Sequence, residues 1–118
     1  MDYSEDFFKK LSFFQSKNIY DHCLEAVKKD GNNINFIIKH VPHIINKQIC
    51  LEAVRQNGHS IRFIKESPTL SFLLDKNIGL AAVGNNPHSY SYIRDCEFVD
   101  REFLDLFIED LLVCKLVF

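Results

Sequence analysis

The fold is decided by the stretch Cys50-Leu51-Glu52-Ala53-Val54-Arg55-Gln56-Asn57-Gly58, which continues as His59-Ser60-Ile61-Arg62-Phe63-Ile64. Its apolar residues recur with the period of an amphipathic helix, once before Gly58 and again after it. The stretch therefore predicts two short helices joined by a tight turn. Two more copies begin at Cys23, 27 residues earlier, and at Gly79, 29 residues later. Repeats of this period cannot bury their apolar faces alone, so we expect them to stack.

The turn between the two helices is where the copies differ. Gly31 stands where a helix often ends in a left-handed residue, a conformation that glycine adopts without steric cost. The third copy has Pro87 at this place, so we expect Asn85 to take the positive φ instead. Asn33 in the first copy and Ser60 in the second are predicted to cap the helix that follows the turn.

The segments outside the repeats predict one capping helix at each end of the stack. An apolar face of Phe7, Phe8, Leu11 and Phe14 indicates the first helix, and Asp100 is predicted to cap the last. The expected fold is all-α and forms a single domain over 1–118. Its predicted parts are a cap helix over 4–16, repeats over 19–45, 46–74 and 75–98, and a C-terminal helix over 100–118.

The second copy carries the core Leu-x-Ala-Val-x-x-Asn-Gly, from Leu51 to Gly58. This core resembles a short helical-repeat family of unknown function, which occurs in tandem in effector-like bacterial, protist and large-virus proteins. The likeness covers roughly Ile19 to Ile93; the first copy departs from the core at Asp30 and the third at Pro87. The resemblance implies the repeat architecture and no catalytic residues.

The charge and the cysteine spacing limit the classes of function that the chain could have. The net charge is only −2, which argues against a dedicated nucleic-acid binder. Residues 7–93 hold 11 Lys and Arg against 6 Asp and Glu, whereas 94–118 hold 3 against 7. The four cysteines are widely spaced and form no Cys-x-x-Cys, which is typical of reduced thiols. With no apolar run that predicts a secretory signal or a membrane span, we expect a cytoplasmic protein of the producing cell or of a host cell.

Patterns that carry chemistry are weak in this chain. His40 and His43 have a spacing that could suit a metal, but Pro42 lies between them and a third ligand at matching spacing is missing. Cys23 and Cys50 share one position on the apolar face and are predicted to pack in the core. No phosphate loop or nucleophile motif occurs. We expect no enzyme activity, no cofactor and no metal.

The residues left free to face a partner lie at the turns. They are predicted to form a partner-binding edge of Arg55, Asn57, His59, Arg62, Asn86 and His88. We expect a protein-binding module, either an adaptor or a small inhibitor of a larger protein. The apolar tail 112–118 could also pair with another chain.

The alternative partner is a nucleic acid, which would bind to a mildly basic face of the stack. Its expected contacts are the cations Lys28, Lys29, Arg55, Arg62 and Lys65, with Tyr90 and Tyr92 as stacking groups.

Overall fold

The computed structural model describes residues 3–11, 13 and 18–116, with side chains described as far as residue 109. Within these residues the chain forms eight α-helices and no strand. The helices are α1 Glu5–Leu11, α2 Ile19–Lys29, α3 Ile34–His40, α4 Lys47–Gln56, α5 Ile61–Glu66, α6 Lys76–Asn85, α7 Tyr90–Ile93 and α8 Arg101–Leu116. Short 3₁₀ turns at Gly31–Asn33, Gly58–Ser60 and Pro87–Ser89 join the two helices of each repeat. We call these three the repeat turns.

The repeats stack in two layers, which confirms the all-α repeat architecture. The first helices α2, α4, α6 lie side by side, and α8 continues that row. The second helices α3, α5 and α7 form the other layer, with α1 packed on α3. The apolar stripes of both layers meet in one core, where the alanine and valine of each first helix are buried together: Ala26, Val27, Ala53, Val54, Ala82 and Val83.

Polar contacts also link the starts of successive first helices. Asn46, Asp75 and Asp100 cap α4, α6 and α8, each accepting a hydrogen bond from the backbone N–H three residues onward. The cap predicted at Asp100 is therefore confirmed. A residue in the first turn of the preceding first helix contacts each cap, in the pairs Tyr20 with Asn46, Lys47 with Asp75 and Lys76 with Asp100.

The reason predicted for the turn glycines is wrong. No described residue has a positive φ, so neither Gly31 nor Asn85 is left-handed. Glycine is required instead because the next repeat approaches its Cα closely. A Cβ on Gly31 would collide with the Ala53 carbonyl oxygen, and one on Gly58 would lie 2.8 Å from Ser89 Oγ. The backbone N–H of each glycine also donates to the next repeat, that of Gly58 to Asn85 Oδ1 at 2.7 Å.

Close approach also explains why proline is tolerated in the third repeat turn. Pro87 is exposed, whereas Gly31 and Gly58 are buried against the repeat that follows. A proline at the position of Gly58 could not donate the N–H that bonds the next repeat. Its ring would also collide with the next repeat, which lies against Gly58. Pro87 fits because it faces solvent.

The predicted caps at Asn33 and Ser60 are also wrong. Neither side chain bonds a backbone N–H of the following helix. Both are buried and donate backward, Asn33 Nδ2 to the Ala26 carbonyl and Ser60 Oγ to the Asn57 carbonyl. Each repeat turn is capped instead by the residue directly before it, through a side-chain oxygen of Asp30, Asn57 or Asn86.

The two ends match their predictions only in part. The first helix was predicted over 4–16 and is α1 Glu5–Leu11; residues 12 and 14–17 lie outside the described part. Residue 13 belongs to a turn, and Phe13 is 85% exposed. The last helix runs to Leu116, and the side chains of the tail 112–118 also lie outside. None of the described helices combines the length and apolarity that a membrane crossing requires.

Candidate partner-binding surface

The repeat turns lie in a row, because each turn contacts the next one along the stack. We call this row, together with the exposed side chains of the helix ends beside it, the turn edge. It brings together the pair Asn57 and His59 in the second turn and the pair Asn86 and His88 in the third. The predicted contact residues are thus neighbours on one side of the stack.

Asn57 and Asn86 serve the fold at this edge. The Asn57 Oδ1 accepts from the His59 backbone N–H at 3.1 Å, and the Asn86 Oδ1 accepts from the His88 N–H at 3.0 Å. Both side chains are half-buried. Each Oδ1 accepts one hydrogen bond in building the turn, so the Nδ2 group and the second lone pair of the oxygen are what each residue could offer a partner.

The two imidazoles differ in their surroundings. His59 is half-buried and meets the ring of Tyr92 edge-on, with ring centroids 5.8 Å apart. His88 is exposed, and its carbonyl oxygen accepts from Ser91 Oγ at 3.0 Å. The His88 side chain is therefore the freer of the two to bind a partner.

The two arginines also differ in how far other side chains of the protein engage them. Arg55 Nη1 lies 3.6 Å from Glu52 Oε1 on the same helix, so its charge is partly satisfied. Arg62 is exposed and lies over the Phe63 ring, 4.6 Å from its centroid. This contact places the guanidinium over the ring and leaves its N–H groups for a ligand. Arg62 also borders a depression of about 290 Å³, together with Lys65, Glu66, Ser91 and Tyr92.

The groups predicted for nucleic acid are largely engaged within the protein. Tyr90 stacks on Phe107 with ring centroids 5.2 Å apart, which covers a face of its ring. Lys65 Nζ forms an ion pair with Asp95. Lys29 Nζ lies over the ring of Tyr3. Tyr92, the other predicted stacking group, meets the ring of His59 edge-on.

The cysteine and histidine pairs singled out in the sequence are buried or placed apart. Cys23 and Cys50 are buried in the core as predicted, and burial raises their thiol pKa values to about 11 and about 12. His40 Nε2 lies 3.4 Å from Glu5 Oε1, whereas His43 belongs to the following turn. Across 3–11, 13 and 18–109, no three His, Cys, Asp or Glu side chains cluster so as to hold a metal ion.

The structure also has a second candidate surface, which was not predicted from the sequence. It lies at the other end of the first helices, where the turns between successive repeats meet, and Phe72 there is 77% exposed. The available signal was the stretch from Pro68 to Leu74, which is apolar without a helical period. Sequence periodicity assigns such residues to the core by default, and only the folded chain shows which of them remain outside.

The fold defines a class, that of short helical-repeat proteins. The chain belongs to the family described as a domain of unknown function (DUF4116), whose model matches twice, over residues 23–69 and 46–96. The two matches overlap by one repeat, as expected for a tandem array. No curated protein and no solved structure matches the chain.

Proposed function

We propose that this protein is a non-enzymatic protein-binding module, an adaptor or a small inhibitor of a larger protein, which contacts its partner through the turn edge. The observation that carries the proposal is the row of adjoining repeat turns, with exposed Arg62 and His88 beside it. The proposed contact residues are Arg55, Asn57, His59, Arg62, Asn86 and His88. Stacked repeats commonly bind through such extended, rigid edges.

The edge favours a partner that presents carboxylates. Its free donors are guanidinium, imidazole and amide N–H groups, which pair best with anionic acceptors. The acidic side chains nearby are Asp30, which caps the first repeat turn, Glu52, which is paired with Arg55, and Glu66 beside the small depression. The excess of cations over residues 7–93 points the same way.

The test is affinity capture with the tagged protein from the producing cell or its host. Wild type should recover a stoichiometric protein partner, and Arg62→Glu combined with His88→Ala should weaken binding about tenfold or more if these residues form a hot spot. Both side chains are exposed, so the fold should persist. Arg101→Glu, which makes the same charge change at an exposed position of α8, is the matched control and should bind like wild type.

An unchanged affinity in the double variant would reject the turn edge as the contact surface. The alternative proposal, nucleic acid on the basic face, predicts something else. A labelled single-stranded RNA should then shift in a gel at low salt, and the shift should fade steeply as salt rises. A shift that Arg62→Glu abolishes, without a protein partner, would favour that alternative.

Further proposals concern kinship, location and self-association. We propose that the repeat core is shared with effector-like bacterial, protist and large-virus proteins, and that the protein acts in the cytoplasm of its own cell or of a host. A small inhibitor directed at a host protein is consistent with both. Sedimentation analysis across a dilution series tests self-association through the apolar tail 112–118, which predicts a dimer that dissociates on dilution.

A further inference from the structure

The turns between successive repeats form an edge of their own. Each first helix begins at this edge and ends at the turn edge, so the two edges lie at opposite ends of the helices. We call it the inter-repeat edge. It consists of the turns Pro42–Ile44 and Ser71–Leu73 and of the segment 95–98 after α7.

Two depressions open on this edge, one on each side of the Ser71–Leu73 turn. The first has a volume of about 410 Å³ and is mostly apolar, with Ile45, Leu70 and Phe72 in its wall. The second has a volume of about 710 Å³ and combines the apolar Leu74 and Phe98 with charged groups. Because both share one turn, a single short segment of chain can reach the two of them.

Phe72 is the apolar group that this edge leaves in solvent. Its side chain is 77% exposed, whereas the neighbouring Leu70 is buried and Leu73 and Leu74 are half-buried. Phe72 stands three residues before the cap Asp75, and the residues at the same place before the other caps are the polar His43 and Glu97. The fold therefore tolerates a polar residue here, and the core does not require the aromatic ring.

The second depression is acidic. Asp75, Asp95 and Glu97 border it, and Lys65 is its single cationic lining residue. Asp75 pairs with Lys47 and Asp95 pairs with Lys65, but Glu97 forms no ion pair within the described part of the chain. The excess of acidic residues over 94–118 adds to the negative potential at this end of the stack.

We propose that the inter-repeat edge docks an extended peptide segment of another protein, in which a large apolar side chain lies close to a Lys or Arg. The apolar side chain packs against Phe72 in the first depression, and the cation pairs with Glu97 and Asp95 in the second. The recognised chemistry is opposite in charge to that of the turn edge. A module with both edges can hold two different partners, as an adaptor does, although this proposal stands or fails independently of the turn edge.

The experiment is a titration of the isotope-labelled whole chain followed by amide NMR shifts. The probe is the acetylated hexapeptide Gly-Phe-Gly-Arg-Arg-Gly. It should shift the amides of 71–74 and 95–98 and leave those of the second repeat turn, 58–60, in place. Two further peptides, with serine for the phenylalanine or glutamates for the arginines, should each bind about tenfold more weakly.

Matched variants separate docking from general surface effects. Phe72→Ala and Glu97→Lys should each weaken the wild-type probe about tenfold. Phe13→Ala removes another exposed ring, and Asp21→Lys makes the same charge change at an exposed position of α2, so both controls should bind like wild type. Absence of shifts, equal binding of the three peptides, or unchanged binding by Phe72→Ala would each overturn the proposal. Shifts at 71–74 that depend on protein concentration alone would assign the edge to a second copy and overturn it too.

Discussion

The sharpest test of the stack is the replacement Gly58→Ala. Gly58 begins the second repeat turn, is buried and has a φ that any residue can adopt. An added Cβ would lie 2.8 Å from Ser89 Oγ and 3.2 Å from the Ala82 carbonyl carbon, and closer still to the Ala82 oxygen. Because the obstacle includes backbone of the next repeat, α6 must move away from the turn.

The expected magnitude follows from three effects. Overpacking of a tight contact costs about 1–3 kcal/mol. Moving α6 also strains the hydrogen bond from the Gly58 N–H to Asn85 Oδ1, whose loss costs about 1 kcal/mol. Against these, alanine at an allowed φ restricts the unfolded chain and stabilises by about 0.4–1 kcal/mol. The net expectation is a loss of about 2 kcal/mol in the free energy of unfolding.

The assay is urea unfolding followed by far-UV circular dichroism and by tyrosine fluorescence, whose coincidence checks two-state behaviour. Gly84→Ala is the matched control, since Gly84 is exposed within α6. Alanine there should stabilise by up to about 1 kcal/mol, the full difference between alanine and glycine in a helix interior, because Gly84 is helical but lies in the last turn of α6. The two variants make the same chemical change and should move the midpoint in opposite directions.

A Gly58→Ala protein as stable as wild type, or stabilised to the same extent as Gly84→Ala, would refute the reasoning. Glycine at the turn would then be explained by chain flexibility, and the stack would be looser at this point than the described contacts imply. A reduced m-value would indicate instead that the repeats had become uncoupled, because less surface would unfold in one step.

Three other outcomes follow from the same contacts. Asn46→Ala should cost about 1 kcal/mol of unfolding free energy in urea melts, because its Oδ1 caps α4 at the N–H of Ile49. The Cys50 thiol, with a pKa raised to about 12, should resist iodoacetamide in native protein and react once urea unfolds the chain, as peptide mass spectrometry would report. Ion pairs with Lys65 and Lys76 lower the pKa values of Asp95 and Asp100 below their usual 3.8. Their stabilisation is present above that pH and is lost below it, so thermal melts should show a Tm that falls with acidification there, and less so in Asp100→Asn.

Much of the fold could be predicted from the residues, because its signals are local. The helical period of the three copies, the buried Cys23 and Cys50, and the cap at Asp100 all depend on residues a few positions apart. The positions of the repeat turns were predicted correctly, but the reason for glycine in them was predicted wrongly. Gly31 resembles a left-handed helix end in sequence, but its neighbour Ala53 comes from the next repeat and is invisible to a local pattern.

The candidate site could be predicted less well, for the same physical reason. Asn57 and Asn86 were expected to face a partner, but in the structure their side-chain oxygens accept backbone hydrogen bonds within the repeat turns. Tyr90, a stacking group in the nucleic-acid alternative, stacks on Phe107 of the last helix. Whether a polar or aromatic side chain is free depends on what folds against it, which repeat alignment does not reveal.

The sequence by itself determined that this protein is a stack of three helical repeats with a helix at each end, because helix period and repeat length are properties of neighbouring residues. Only the tertiary structure decided why glycine stands in the first two turns and proline in the third. It also decided that Phe72 lies outside the core, between an apolar and an acidic depression. These features arise where one repeat meets the next, across separations of some 27 residues, and they set which edges remain for partners.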